Sequence, residues 1–273
     1  MTADRLETVR NFYRTLFRAW GHQHWWPAQS RFEVIVGAFL TQNTAWTNVE
    51  KAMTQLRRAR VLTVAGIRNT PLPQLEQLVR SAGYFRQKAQ RLKNFVAFLD
   101  KHYGGSLERM YARPTAELRL ELLELNGVGP ETADSILLYG GNHPVFVVDA
   151  YTRRILDRHR ILPLEAAYDD VRQLFESALG TTEFVGECES ELHQQTTNNQ
   201  PPAGPEGSSH QPSKMSITKR TATAQIFNEM HGLIVGVGKN HCRKSIPLCE
   251  NCPLQPFLPR SGPRRQPARR KRR

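Results

Sequence analysis

The chain has 273 residues, a formal net charge of +13 at pH 7, and hydrophobic residues at 39% of its positions. This length is enough for one large domain or two small ones with a hydrophobic core. The sequence has no apolar run long enough to span a membrane and no signal-peptide segment after its charged N-terminus. We therefore expect an intracellular protein with no membrane partner, cytoplasmic or in the nucleoid if the source is a prokaryote.

Apolar residues recur at helical spacing along most of the chain, which predicts an all-α fold. The predicted helices cover residues 6–20, 30–41, 44–58, 73–82, 86–102, 115–125, 130–139, 150–158, 168–179 and 222–237. Residues 181–221 are rich in Gln, Thr, Asn, Pro, Gly and Ser, a composition typical of a disordered insertion. Residues 259–273 hold eight Lys or Arg and no acid, and we expect this basic tail to be disordered and to attract phosphate in a salt-dependent way.

A Gly-Val-Gly-Pro turn separates the helices predicted at 115–125 and 130–139. Gly127 and Gly129 are expected to supply positive φ angles, and Pro130 suits the first position of a helix. Such a turn points backbone amides outward, where they bind a nucleic-acid phosphate whatever the base. The two glycines alone favour a plain αα-hairpin that closes a core. Val128 between them, in an apolar frame, makes a helix-hairpin-helix motif the more specific interpretation.

Asp149 follows five apolar or proline residues and precedes the helix predicted at 150–158. An aspartate in that place is a good N-cap, because its carboxylate accepts a hydrogen bond from an amide of the first turn. Capping would also fix the carboxylate in space, so the capping role and a catalytic role are compatible. We expect this single charge to lie at a surface cleft.

The hairpin and the downstream aspartate resemble the helix-hairpin-helix (HhH-GPD) DNA glycosylase superfamily, in particular its endonuclease III-like group, over roughly residues 30–179 and 226–258. The resemblance implies two helical lobes with a DNA cleft between them. Residues 30–140 would form the lobe with the hairpin, and residues 1–29 plus 141–258 the lobe with a cysteine loop. It also implies that Asp149 supports cleavage of the N-glycosidic bond. Double-stranded DNA is the expected partner, and we expect a monomer.

Glu131 departs from the pattern of the bifunctional members, which carry a lysine there whose amine attacks the sugar. A carboxylate cannot form that imine, so AP lyase activity through this position is not expected. Glutamate here, with Trp25-Trp26-Pro27 and the Thr-Gln-Asn-Thr segment at 41–44, looks more like the 3-methyladenine DNA glycosylase III group than endonuclease III itself. Glu131 is interpreted either as a base-contacting residue or as a solvated acid of a helix's first turn.

Further site residues follow from the resemblance. The pocket for the extruded base is expected to include Trp25, Trp26, Trp46 and Lys239, with core packing as the alternative for the tryptophans. DNA contacts are expected from Gly127, Val128, Gly129, Gln42, Asn43, Arg86, Lys88, Arg243 and Lys244. Within this set, the turn of Gln42 and Asn43 would fill the gap left by the flipped nucleotide. A simple polar turn is the alternative.

Cys242, Cys249 and Cys252 have the spacing of the first three ligands of the four-cysteine iron–sulfur loop in endonuclease III relatives. Position 258, where the fourth ligand should fall, is Leu258. Two alternatives stay open at this point. One is a [4Fe-4S] cluster with an incomplete protein ligand set, and the other is a loop that has lost its cluster.

The sequence as a whole predicts a monofunctional DNA glycosylase of base excision repair that hydrolyses off a damaged base, an alkylated purine being the favoured substrate. An endonuclease III-like glycosylase with lyase activity on oxidised pyrimidines is the enzymatic alternative. A helix-hairpin-helix module that binds DNA without catalysis is the other.

Overall fold

A computed structural model describes residues 2–188 and 211–264 of the chain. These residues form helices joined by turns, with no strand among them, which confirms the all-α prediction. The remaining parts of the predicted insertion and basic tail, residues 189–210 and 265–273, lie outside the described residues. No described helix is long and apolar enough to cross a membrane.

The chain divides into two compact units. Unit 1 comprises Met1–Trp25, Phe146–Gln211 and Gln225–Arg273, and unit 2 comprises Trp26–Val145 and Pro212–Ala224. Unit 1 contains α1 (Ala3–Trp20), α10 (Ala150–Arg158), α11 (Tyr168–Leu179), most of α12 (Ala222–Asn240) and a 3₁₀-helix (Gln255–Phe257). Its core is apolar and rich in aromatic rings, with Phe146 stacked on Phe175 at 4.1 Å between ring centroids. Helices α10 and α11 begin and end at the predicted residues.

Unit 2 holds the helices on either side of the hairpin. They are α2 (Arg31–Leu40), α3 (Trp46–Arg58), α4 (Val64–Asn69), α5 (Leu72–Leu78), a 3₁₀-helix (Arg80–Ala82), α6 (Phe85–Tyr103), α7 (Leu107–Tyr111), α8 (Thr115–Leu123) and α9 (Pro130–Ser135). Helix α9 continues as a π-helical turn over Ile136–Gly140, where a single α-helix was predicted. The short helices α4 and α7 were not predicted, although each is capped by a side chain, from Thr63 and Ser106 respectively.

The prediction that residues 181–221 are disordered is wrong at both described ends of this segment. Residues 182–188 are helical. Beyond the gap, Ser213 and Met215 are buried, and both hydrogen-bond to the backbone of Ala28 within unit 2. The amide of Met215 donates to the Ala28 carbonyl at 3.0 Å, and the Ser213 hydroxyl accepts from the Ala28 amide at 3.2 Å. The polar composition of this segment predicted disorder, because composition alone contains no information about hydrogen bonds to a distant segment.

Lys88 is not the surface cation that the sequence predicted. Its side chain is 1% exposed, and its ammonium group donates to the carbonyls of Leu40 at 2.9 Å and Ala82 at 2.7 Å. Leu40 ends α2 and Ala82 ends the 3₁₀-helix before α6. The buried charge therefore ties two helix ends together, and Lys88 is not available to a DNA phosphate.

Replacing Lys88 with Met should lower the free energy of unfolding by about 1 to 3 kcal/mol at pH 7, because two buried charge-assisted hydrogen bonds are lost. Lys101→Met on the exposed face of the same helix is the control and should change it by less than about 0.5 kcal/mol. Urea denaturation measures both values.

The same comparison has an expected pH dependence. Burial, with a smaller contribution from Arg91, lowers the pKa of Lys88 from 10.5 to about 8. Between those two values the unfolded chain holds a proton that the folded chain has released, so folding stability rises with pH. The stability difference between the wild type and Lys88→Met should therefore widen from pH 8 to pH 10. A constant difference would contradict a Lys88 ammonium of lowered pKa.

Candidate active site

The hairpin of unit 2 depends on one glycine more than on the other. Gly127 has φ +83°, and a Cβ there would lie 2.0 Å from Nε of Arg91. Gly129 has φ −95° and ψ 177°, an extended conformation open to any residue, and a Cβ there would meet nothing within 4 Å. The predicted positive φ is thus correct at Gly127 and wrong at Gly129. The extended geometry at Gly129 fits the restriction that Pro130 places on the residue before it.

The amides of the hairpin are only partly available for phosphate. The Val128 amide donates to the Leu125 carbonyl at 2.9 Å, and the Val128 side chain is buried. The amide of Gly129 donates to no acceptor in the part of the chain that the structure describes. It precedes α9, whose N-terminal end carries the positive pole of the helix dipole. The Gly129 amide is therefore a hairpin donor that fits a phosphate oxygen.

Gln42 and Arg91 hold the hairpin from the side. The Gln42 amide donates to the Gly127 carbonyl and to the Thr132 hydroxyl, both at 2.9 Å. Arg91 donates in turn to the Gln42 side-chain oxygen. Gln42, predicted to fill the gap in the DNA, is thus engaged with the hairpin in this conformation. Its neighbour Asn43 is exposed with φ +53°, so it is the member of this turn that faces solvent.

A buried ion pair joins the two helices of the motif. Asp134 of α9 is fully buried, and Arg119 of α8 donates to its two carboxylate oxygens at 2.7 and 3.2 Å. Bidentate pairing of this kind fixes the orientation of both side chains. Sequence reasoning missed the pair, since neither residue stands at a spacing that marks a contact.

The aromatic residues predicted for the base pocket fall in both units. In unit 2, Trp26 is 7% exposed and packs between Tyr139, stacked at 5.0 Å, and Trp46, edge-on at 5.1 Å. This burial makes Trp26 chiefly a core residue, whereas Trp46 is partly exposed. Glu131 is exposed in the first turn of α9, where a carboxylate is favoured by the helix dipole.

Unit 1 fixes the Asp149 carboxylate as the N-cap of α10. One oxygen, Oδ1, accepts from the Thr152 amide at 2.8 Å and from the Thr152 hydroxyl at 2.9 Å. The other oxygen, Oδ2, lies 3.7 Å from Nε2 of His231. In the part of the chain that the structure describes, no Lys or Arg forms an ion pair with Asp149. The carboxylate is therefore held in place while its negative charge is not neutralised by a cation.

His231 of α12 is the residue near Asp149 that sequence reasoning missed. Its side chain is 5% exposed, and burial lowers its pKa, an effect that the nearby Asp149 charge opposes. Burial therefore favours the neutral form of the imidazole. Trp25 packs edge-on to His231 at 5.7 Å, and Nζ of Lys239 lies 5.9 Å from the centre of the Trp25 ring. The predicted pocket residues Trp25 and Lys239 thus lie in one cluster with Asp149.

The other predicted DNA-contacting cations are on the surface of their units. The Arg86 side chain is 81% exposed in unit 2, and Arg243 and Lys244 are exposed in unit 1. These three side chains are available to phosphate. They differ in this respect from Lys88.

The three cysteines of the loop line one small cavity of unit 1, together with Leu258. The space open to the centre of a water molecule is about 20 Å³, room for roughly one water. Among the described residues, no three His, Cys, Asp or Glu side chains are arranged to hold a metal ion. These residues do not fit the four-thiolate ligand set of the [4Fe-4S] cluster that the resemblance implies.

Comparison with known proteins shows the family to which the chain belongs. Residues 36–180 match the HhH-GPD superfamily of base excision DNA repair proteins. The chain is 38% identical over 258 residues to a Methanocaldococcus jannaschii protein named "Putative DNA repair glycosylase", covering 94% of this chain and 98% of that protein. The chain belongs to the HhH-GPD superfamily. It is a DNA glycosylase of base excision repair.

Solved structures share the fold of this glycosylase. H. pylori 3-methyladenine DNA glycosylase (MagIII), bound to 1,N6-ethenoadenine, has a TM-score of 0.62 and 26% identity, covering 86% of this chain and 97% of that chain. A non-covalent endonuclease III–DNA complex has a TM-score of 0.63 at 20% identity, covering 94% of this chain and 95% of that chain, a likeness of fold alone.

Gly127→Ala in this glycosylase should weaken duplex DNA binding by about tenfold, because the new Cβ would displace Arg91 and strain a positive-φ residue. Phosphate contacts carry no sequence information, so the loss should be the same for all sequences. Gly129→Ala is the matched control and should bind nearly as the wild type does. Fluorescence anisotropy with several duplexes measures the affinities. Equal losses in the two variants would contradict the roles assigned to these glycines.

Proposed function

We propose that this glycosylase is monofunctional and hydrolyses the glycosidic bond of an alkylated purine. The observation that carries the proposal is the Asp149 carboxylate, which is fixed by Thr152 and lies 3.7 Å from Nε2 of the buried His231. Glycosidic cleavage develops positive charge on the sugar, and a fixed, unneutralised carboxylate stabilises that charge. The same group can orient or deprotonate the attacking water.

The absence of a lysine at position 131 supports the monofunctional part of the proposal. A lyase needs an amine that forms an imine with the sugar, and Glu131 has none. The hydrolytic product would be an intact strand with an abasic site.

The alkylated purine is supported by two further observations. Trp25 and Trp46 are partly exposed, and an aromatic face attracts a cationic base by roughly 0.5 to 2 kcal/mol. In addition, the similar MagIII protein was solved with 1,N6-ethenoadenine bound. An alkylated purine that is already cationic needs little protonation of its leaving group, which suits a site where burial lowers the pKa of the histidine.

Single-lesion duplexes test this function when free base and strand nicking are scored separately. We expect release of alkylated purines without nicking, and Asp149→Asn should slow single-turnover release by about 100-fold or more while DNA affinity is kept. Asparagine is also a good N-cap, so the variant should fold. Asp170→Asn, an exposed carboxylate of the same unit, is the control and should leave the rate unchanged.

Three outcomes would contradict parts of this proposal. Release of oxidised pyrimidines alone would overturn the substrate class. An undiminished rate in Asp149→Asn would remove Asp149 from catalysis. A wild-type protein that binds duplexes but releases no base from any lesion would favour the non-catalytic module.

Borohydride trapping tests the missing amine at position 131. The wild type should give no covalent complex with lesion-bearing DNA, because no lysine occupies the lyase position. The abasic strand should break only on later heating in base. A trapped wild-type adduct would sink the monofunctional assignment, and Lys239→Ala would then show whether the Lys239 amine is responsible.

A further inference from the structure

Two buried arginines of α10 lie against the cysteine loop, which comprises residues 242–252. Arg154 is 8% exposed and Arg158 is 4% exposed, although each carries a full charge. Charges so deeply buried must be met by hydrogen bonds or opposite charges. The partners of these two guanidinium groups lie mainly in or next to the loop.

The hydrogen bonds of the two arginines converge on Cys242. Arg158 donates to the Cys242 sulfur at 3.1 Å and to the Lys244 carbonyl at 3.2 Å. Arg154 donates to the Cys242 carbonyl at 2.6 Å and to the Gly238 carbonyl at 3.1 Å. The first residues of the loop and the end of α12 are thereby fixed to α10 by four hydrogen bonds from charged donors. Such bonds are roughly twice as strong as neutral ones.

The loop has further protein contacts that need no metal. The Leu248 amide donates to the His241 carbonyl at 2.8 Å, which closes the loop on itself. The His241 ring stacks on Trp20 of α1 at 5.9 Å. At position 258, where a fourth thiolate would be required, the apolar Leu258 side chain lines the cavity instead.

We infer that Arg154 and Arg158, and not an iron–sulfur cluster, hold the cysteine loop in place on unit 1. The four arginine hydrogen bonds fix the loop at Cys242 and Lys244, and the Leu248–His241 bond closes it. The loop then carries Arg243 and Lys244 on the surface without iron. The thiols of Cys249 and Cys252 are dispensable for that arrangement, whereas the guanidinium of Arg158 is required. This inference does not rest on the proposed substrate.

The test uses the full-length protein, purified without oxygen and reconstituted with Fe²⁺ and sulfide. We expect no stoichiometric iron or acid-labile sulfide and no absorption band at about 400 nm of the kind that thiolate-bound clusters give. The double variant Cys249→Ser, Cys252→Ser should keep the unfolding midpoint of the wild type. The hydrogen-exchange rates of residues 241–248 should stay within about twofold of the wild-type rates.

Arg158→Met is the opposing variant and should raise the hydrogen-exchange rate of the same residues by about tenfold or more, since its charged donors to the loop are lost. Arg158→Lys keeps the charge and one donor and should be intermediate. Stoichiometric iron and sulfide that are lost in the cysteine double variant would overturn the inference. The inference would also be overturned if the hydrogen-exchange protection of the loop fell in the cysteine double variant and not in Arg158→Met. If Arg158→Met fails to fold, the iron content and the cysteine variant still decide the question.

Discussion

The constraint on which this structure depends most is the need to satisfy charged groups that helical packing takes out of water. An isolated buried charge is so costly that it persists only with hydrogen bonds or an opposite charge around it. In this chain two of the solutions lie at helix ends and a third joins two helices. Lys88 binds two terminal carbonyls, Asp149 caps α10, and the Arg119–Asp134 pair joins the helices of the hairpin.

This constraint separates structural cations from those that can reach a ligand. Lys88 and Arg158 use their donors inside the protein, while Arg86 and Arg243 keep theirs at the surface. Net charge therefore overstates the attraction of the folded units to DNA. The groups that can reach a phosphate are the exposed cations, such as Arg86 and Arg243, and hairpin amides such as that of Gly129.

The Asp149 carboxylate, which we propose to be catalytic, illustrates how one interaction can serve both folding and chemistry. The hydrogen bonds from Thr152 stabilise the first turn of α10 and at the same time use only one oxygen of Asp149. The second oxygen lies 3.7 Å from Nε2 of His231, an imidazole whose pKa is lowered by burial. A carboxylate paired with arginine would be equally well fixed, but its charge would no longer be available to a developing oxocarbenium ion.

The sequence by itself determined the all-α fold, the boundaries of α10 and α11, the turn at Gly127 and the cap at Asp149. These features follow from local rules, since helical periodicity, capping and turn geometry involve residues close together in the chain. Only the tertiary structure decided that Lys88 is buried, that His231 lies beside Asp149, and that Arg158 binds the cysteine loop. Each of these features depends on contacts between segments that are distant in sequence. Neither residue spacing nor composition indicates which distant segments are in contact.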